Sequence, residues 1–428
     1  MGLKFKDYLL KDCLEIIIDY RGKTPKKLGG VWAEEGHYRA ISAKNIKNNK
    51  LVNSDLIKTV DKDIYLKWMK EEIQKEDILL TSEAPLGETV FWDSDEKIVL
   101  SQRVFGLRTK KDILYPKYLW AFMQSRFFKH EITSRESGTT VTGIRRSELE
   151  KVKIKLPEYK IQKFIGDLFY NVTTKIKTNE EIQASIDRTS QLLFKHWFID
   201  FEFLNEHGQP YKSSGGEMVE SELGEIPKGW SVYRLDEFVE SISNSIKKKE
   251  QPFARFLNTS DILNGEVMYK ELAEVKSMPG QAKKLIQKDD ILYSEIRPKN
   301  KRHAYINFDA GEYVVSTKLM VLRVNKEIYS SKTLYQWLAS DEAINEFQQL
   351  AEDRSGTFPQ ITFSTISHYK FAVPPAGVKK HLFEPLELMV DQRLNLIDEN
   401  KKLEELRNTL LPKLLSGEIE IPDDLEVE

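Results

Sequence analysis

The sequence predicts an α+β protein made of two copies of one α/β domain, joined by two long helices that form an antiparallel coiled coil with pseudo-twofold symmetry. Three observations carry this expectation. The second half of the chain repeats the first, in order, over roughly 200 residues, a period too long for a solenoid. Each half opens with short alternating apolar runs separated by turn residues, the pattern of strands. Each half closes on a long stretch whose apolar residues recur every three or four positions.

The duplication reads directly from the residues. "IQKEDILLTSEAPLG" at 73–87 matches "IQKDDILYSEIRPKN" at 286–300. "EKIVLSQRVFGLRTKKDILYPKYLWAFMQS" at 96–125 aligns with "GEYVVSTKLMVLRVNKEIYSSKTLYQWLAS" at 311–340. "SRESGTTVTGIRRSELEKVKIKLP" at 134–157 aligns with "EDRSGTFPQITFSTISHYKFAVP" at 352–374. Small loop insertions account for the drift between the copies.

Within the halves, "HYRAISA", "DILLTS", "TVFWD" and "KIVLSQRVFGLR", then "ARFLNTS", "DILYSEI" and "YVVSTKLMVLRV", read as strands. "YPKYLWAFMQSRFFKHEI" and "SKTLYQWLASDEAINEFQQL" each read as an amphipathic helix. The expected boundaries are 1–157 for the first domain, 158–205 for a central helix region, 206–376 for the second domain, and 377–428 for a distal helix with an acidic tail.

The two closing stretches carry coiled-coil seams. Ile161, Ile165, Leu168, Val172, Ile176, Ile182, Ile186 and Leu193 form one, and Leu382, Leu386, Met389, Leu396, Leu403, Leu406, Leu410 and Leu414 the other. Asn179 and Asn400 each fall on their seam. A polar seam residue costs stability and can fix register and partner; the alternative is a frayed, solvent-touched position. Pro385 is expected in the first turn of the second helix, and Pro412 is expected to kink or end it. About 38 residues at 160–198 would give roughly 57 Å of helix. The pair would most simply pack on each other; each could also pack on its own domain or on a partner protein. Phe164, Phe169, Phe194, Trp197 and Phe198 are more than one seam needs and suggest docking surfaces.

Composition narrows the function classes. The chain has 428 residues, is 40% hydrophobic and 31% charged, and carries a formal net charge of −2. Overall charge therefore announces no polyanion partner, although the acidic "SGEIEIPDDLEVE" end leaves the remainder slightly basic. A lone cysteine, Cys13, excludes an internal disulfide, and seven histidines without CxxC or HExxH point to no metal site. The N-terminus lacks a signal-peptide apolar core, and no run of about 18 apolar residues exists. A protein of the reducing cytoplasm, bound to no membrane, is the expectation. "IIIDYRGKTPKK" at 16–27 raises the possibility of an ATP-binding P-loop. That motif needs a glycine at position 17, which is Ile17, and a helix after Gly22-Lys23-Thr24, where Pro25 stands. The stretch reads as a strand and a basic loop, and no cofactor is expected.

Two matched modules on a spacer suit a duplex, whose strands are themselves twofold related. The order of "IIDYRGKTPKK", "ILLTSEAPLGE", "SQRVFGLR", "SGTTVTGIRRSELEKVKIKLP", "LFKHWFIDFEF", "ELGEIPKGWSVYRLDEF" and "LRNTLLPKLLSGEIEI" resembles the DNA specificity subunits of type I restriction-modification enzymes, over nearly the whole chain. The resemblance implies two target recognition domains reading a bipartite site in double-stranded DNA. It implies that the helices act as a ruler and as a docking site for two methyltransferase subunits, with restriction (translocase-nuclease) subunits added for cleavage. It implies no catalysis by this chain. The second half departs in having "SISNSIKKKEQPF" where the first has the RGKTP motif, and the Glu-Gln often found after the proline of "LPEYKIQKFI" and "VPPAGVKKHLF" is missing.

Phosphate contacts need Lys, Arg, Ser, Thr and backbone amides, and base contacts favour Arg or Lys to guanine and Asn or Gln to adenine. In the second half, "SEIRPKNKRHAY" gathers Arg297, Lys299, Asn300, Lys301, Arg302 and His303 between two strands; it is a DNA-contact candidate or a solvated hairpin. The matching loop of the first half lacks positive charge, so Arg21, Lys23, Lys44, Asn45, Lys47, Gln102 and Arg103 are the candidates there. Gly138, Thr139, Thr140, Gly356, Thr357 and Gln360 sit in matched segments that could approach a phosphate or simply shape a turn. Arg145 and Arg146 could bind phosphate or pair with Glu148 and Glu150.

Two other classes compete. An adenine methyltransferase would need an Asn/Asp-Pro-Pro-aromatic motif and a glycine-rich cofactor loop; "VPPA" at 373–376 fits neither end of the first and no Gly-x-Gly occurs. A metal-dependent nuclease would need clustered carboxylates beside a lysine, and "PDD" at 422–424 stands alone. A coiled-coil scaffold or adaptor without sequence-specific DNA binding is the remaining alternative, and it leaves two α+β domains unexplained.

Overall fold

The computed structural model describes residues 4–138, 142–247, 251–354, 356–419 and 421. Contacts divide the chain into two compact units, 1–178 with 401–428, and 179–400. The division passes through both long helices, α1 (Tyr159–Phe194) and α2 (Ala376–Ser416).

The duplication visible in the sequence is a duplication of topology. The first unit holds a four-stranded antiparallel sheet of β1 (Leu14–Asp19), β2 (Ile78–Thr81), β3 (Thr89–Phe91) and β4 (Val104–Thr109), in the order β1-β4-β2-β3. The second holds β5 (Val239–Ser241), β6 (Ile291–Ser294), β7 (His303–Tyr305) and β8 (Leu319–Val324), in the order β5-β8-β6-β7. Each sheet is covered on both faces, so its strands are apolar nearly throughout, and alternate side chains feed different cores. In the first unit Ile78, Leu80, Phe105 and Leu107 face the helices, whereas Leu79, Val90 and Val104 face a smaller strand cluster. In the second, Ile291, Tyr293, Met320 and Leu322 face the helices and Leu292, Ala304, Leu319 and Val321 the other side. That smaller cluster also repeats: Tyr38–Ile41 pairs in parallel with Val99–Leu100, and Phe253–Leu257 with Tyr313–Ser316.

The central arginine of each sheet is neutralised in the same way. Arg108 on β4 grips buried Asp77 through Nε and Nη2 at 3.0 and 2.9 Å, and Arg323 on β8 grips buried Asp290 at 2.8 and 2.9 Å. Burial raises the Asp77 carboxyl above its ordinary range, while the bonds from Arg108 pull it back.

Each expected amphipathic helix is two helices. Pro116–Met123 is followed by Arg126–Thr133, and Ser331–Leu338 by Asp341–Arg354. A serine breaks the run by capping: Ser125 Oγ accepts from Phe128 N, and Ser340 Oγ from Ala343 N, both at 3.1 Å. The expectation for Pro385 is corrected, and of the two outcomes expected at Pro412 the helix end is excluded. Pro385 lies in the helix interior, because Pro374-Pro375 start the helix earlier, with Pro375 O accepting from Val378 N and Lys379 N. Pro412 does not end it; the helix runs on to Ser416 and stops at Gly417, in the left-handed region at φ 76°.

In the first unit α1 packs closely on the domain at Gly166, where a Cβ would lie 2.6 Å from Tyr118 N. Buried Gln162 accepts from Tyr115 N and donates to Pro157 O, which anchors the helix start. A lysine of the domain reaches the helix in each unit: Lys117 to Asp167 at 2.8 Å and Lys332 to Asp391 at 2.6 Å. Within the second unit α1 and α2 run antiparallel, since Asn179 meets Glu399 and Asn400 while Asp187 meets Arg393. Among the described residues no helix is long and apolar enough to cross a membrane.

Candidate nucleic-acid interface

The basic corner of the second unit is a short 3₁₀ turn, Pro298–Asn300, between β6 and β7. Arg297 and Lys301, on either side of it, hold left-handed backbones at φ 44° and 52°. Non-glycine residues adopt this region at a cost, and only where surrounding bonds enforce it. Here the bonds are Asn300 N to Arg297 O, Lys301 N to Pro298 O and Arg297 N to Pro359 O. The geometry turns the side chains of Arg297, Lys299 and Asn300 outward, all exposed and without a side-chain partner among the described residues.

Two further segments converge on this corner. Glu295 N donates to Lys318 O, and Ile361 N to Glu295 O. Lys318 Nζ lies 3.3 Å from Gln360 Oε1 and 3.6 Å from Glu295. Gly356, Thr357 and Phe358 extend the surface as exposed residues. Nearby, Lys284 is half-buried and donates to Leu319 O, and burial lowers its pKa below the ordinary lysine value. The first unit repeats the convergence: Ser82 N donates to Arg103 O and Ile144 N to Ser82 O, with Glu83 bridging Gly143. Arg103, left-handed at φ 66°, pairs with Glu83 at 2.9 Å. Ala84, at φ 49°, stands where the second unit has Arg297.

A model of the type I restriction modification DNA specificity domain matches residues 3–188 and again 227–407. The chain belongs to this family. It is 23% identical to the type I restriction enzyme MjaIX specificity subunit of Methanocaldococcus jannaschii, across 98% of this chain and 95% of that one. It is 38% identical to the HindI specificity subunit of Haemophilus influenzae over 182 residues, which is 42% of this chain and 39% of that relative. The fold is similar to the crystal structure of a type I restriction-modification S subunit from M. genitalium, with TM-score 0.59, 16% identity and 96% of each chain covered.

Within this specificity-family fold the candidate residues separate by what holds them. Arg297, Lys299, Asn300, Thr357 and Gln360 come together at the second unit's corner. Lys301 pairs with Asp341 at 2.7 Å. Arg302 turns inward, its Nη1 donating to Ser260 O at 2.7 Å and Ile262 O at 3.2 Å, so it shapes the corner from behind. In the first unit Arg21 is committed within the domain: it grips Asp19 at 2.8 and 2.9 Å, donates to Ile144 O and stacks on Phe105 at 3.9 Å. Lys23 donates to Trp68 O at 2.7 Å above the Tyr20 ring, and burial with Lys70 nearby lowers its pKa. Asn45 is buried and caps a turn by accepting from Ser42. Lys44, Lys47 and Gln102 are exposed. Gly138 is exposed, while Thr139 and Thr140 lie outside the described residues. Arg146 pairs with Glu150, Glu148 with Lys151, and Arg145 is exposed. Lys318 was not among the sequence candidates; its match to Arg103 in the aligned "STK" and "SQR" segments was the signal that could have found it.

Proposed function

We propose that this chain is the non-catalytic DNA specificity subunit of a type I restriction-modification complex, reading a two-part target with one recognition domain per half-site. The observation that carries the reading is the repeated convergence of three backbone segments in each unit, capped in the second by Arg297, Lys299 and Asn300. Free cations on an ordered corner supply phosphate contacts, and Arg, Asn and Gln side chains supply base contacts. The long helices set the gap between half-sites and seat two methyltransferase subunits, to which restriction subunits add translocation and cleavage. The complex works in the cytoplasm, and this chain needs no cofactor of its own.

The test is titration of target duplexes, with the target first defined by methylation mapping in the host. Arg297→Ala should weaken binding by about 1–3 kcal/mol wherever the second half-site is intact, the range for loss of a base-reading arginine. On duplexes with that half-site scrambled, the variant and the parent should bind alike. Unchanged affinity on every duplex removes the corner from the contact surface. The scaffold alternative predicts no preference for any duplex sequence.

A further inference from the structure

We propose that Arg393 is a positioning residue that locks the second recognition domain to the helix pair and so fixes where its DNA-facing corner is held. This rests on the bipartite reading above and deepens it, by naming a residue that helps hold the DNA-facing corner at a definite place on the helices.

Arg393 lies on α2 and is 7% exposed, which is rare for an arginine unless it is paired. Its Nε sits 2.7 Å from Asp187 Oδ1 on α1. Its Nη2 donates to Asn264 O at 3.0 Å, at the tip of the hairpin formed by Ile262–Leu263 and Glu266–Val267. One guanidinium therefore touches both helices and the domain. Gly265 completes the fit: a Cβ there would lie 2.5 Å from Arg393 Nη1, and its φ of +89° would strain any other residue as well. The turn is bonded onward to the corner, because Asn264 N donates to Lys301 O at 2.7 Å and Gly265 N to His303 O at 2.8 Å. An ion pair and two hydrogen bonds thus link Asp187 through Arg393 and Asn264 to Lys301, beside Arg297 and Asn300. The equivalent turn in the first unit is held by its own domain. Asn49 Oδ1 accepts from Thr89 Oγ1 at 3.0 Å and Asn48 N donates to Glu88 Oε2 at 2.6 Å.

A planar guanidinium suits this role because it can face Asp187 with one edge while donating to Asn264 O from another, which a lysine ammonium on a flexible stem does less well. Asp187 is 39% exposed, so removing the guanidinium leaves it able to find water and need not unfold the unit. Two measurements on the full chain test the proposal. The first selects bound duplexes from a randomised pool and reads the half-site sequences and the gap between them. The parent should return one gap. Arg393→Met should return the same half-sites with a preference for that gap over neighbouring lengths reduced by about tenfold, within the range of couplings between contacting residues. Arg393→Lys should fall between. An unbroadened gap overturns the proposal, and so does loss of the second half-site sequence, which would make Arg393 part of the domain's integrity.

The second measurement needs no DNA. Amide exchange at Asn264 and Gly265 should rise about tenfold in Arg393→Met while β6 stays protected, as expected for a local opening. Unchanged exchange at the turn overturns the positioning role. If the parent itself selects no gapped target, the bipartite reading fails, and the exchange result still decides what Arg393 does.

Discussion

His303 is 1% exposed, stacked on Tyr293, with Nδ1 3.2 Å from the Tyr335 hydroxyl and with Arg393 and Lys301 as its charged neighbours. Burial, with those cations adding to it, depresses its pKa from 6.5 to about 3. The folded chain therefore keeps this ring neutral where the unfolded chain takes up a proton. Its contribution is fully present above pH 6.5 and is lost as pH falls toward 3, by up to about 1.4 kcal/mol per pH unit. His303→Asn should flatten the fall in denaturation midpoint between pH 7 and 5; parallel curves for the two proteins would exclude this histidine as the cause. The buried sheet pairs make a second case at this scale. Asp290→Ala leaves Arg323, whose side chain is 31% exposed, without its carboxylate and should cost about 1–3 kcal/mol in a denaturant titration, and a loss under about 1 kcal/mol would mean the arginine is fully solvated. Residue types at both places were readable in the repeat, as "DDIL" beside "VLRV". Their pairing was not, because it joins strands whose neighbours in the sheet are set by topology rather than by local pattern.

At the scale of elements, periodicity gave the helices and alternation gave the strands, since both report which side faces a core. What escaped was local chemistry that overrides the pattern: serine caps that cut each domain helix in two, and a Pro-Pro start that carried α2 past Pro385. The candidate site was legible only in part for a related reason. A basic residue type says nothing of whether its charge is spent inside the fold, and Arg21 and Arg302 both spend theirs there. Asn179 was readable as a seam residue with two meanings, and contact geometry now decides between them. It is 0% exposed and donates to both Asn400 and Glu399 at 2.8 Å, which excludes the frayed, solvent-touched position and leaves the register-setting role as the one to test. Asn179→Leu alone removes both of these cross-helix hydrogen bonds and should lower stability by about 1–3 kcal/mol. Asn179→Leu with Asn400→Leu restores an apolar seam and should recover most of that loss, while relaxing register. Thermal melts of the three proteins check this; equal losses in the single and double variants would show that the pair does not act as a unit.

For the whole molecule, the proposal that the helices measure the DNA makes the most demanding claim, and insertion tests it. A seam repeats every 3.5 residues, so seven added residues keep its phase whereas four shift it. One heptad placed after Thr178 and another after Asn400 lengthens both helices at the level where Asn179 meets Asn400. The pair should grow by about 10.5 Å, at 1.5 Å per residue. DNA rises about 3.4 Å per base pair, so the selected gap should lengthen by about three base pairs, with the half-site sequences unchanged. Inserting the heptad in α1 alone leaves Asn179 opposite Asn400 but puts the stretch of α1 before Thr178 out of step with α2 beyond Lys401, and it should lower the melting temperature instead of giving a longer gap. The informative outcome is a double insertion that folds, still reads both half-sites and keeps the original gap. In that case the spacing is set by the methyltransferase partners or by the DNA itself, and the helices serve only to hold the recognition domains and their partners together.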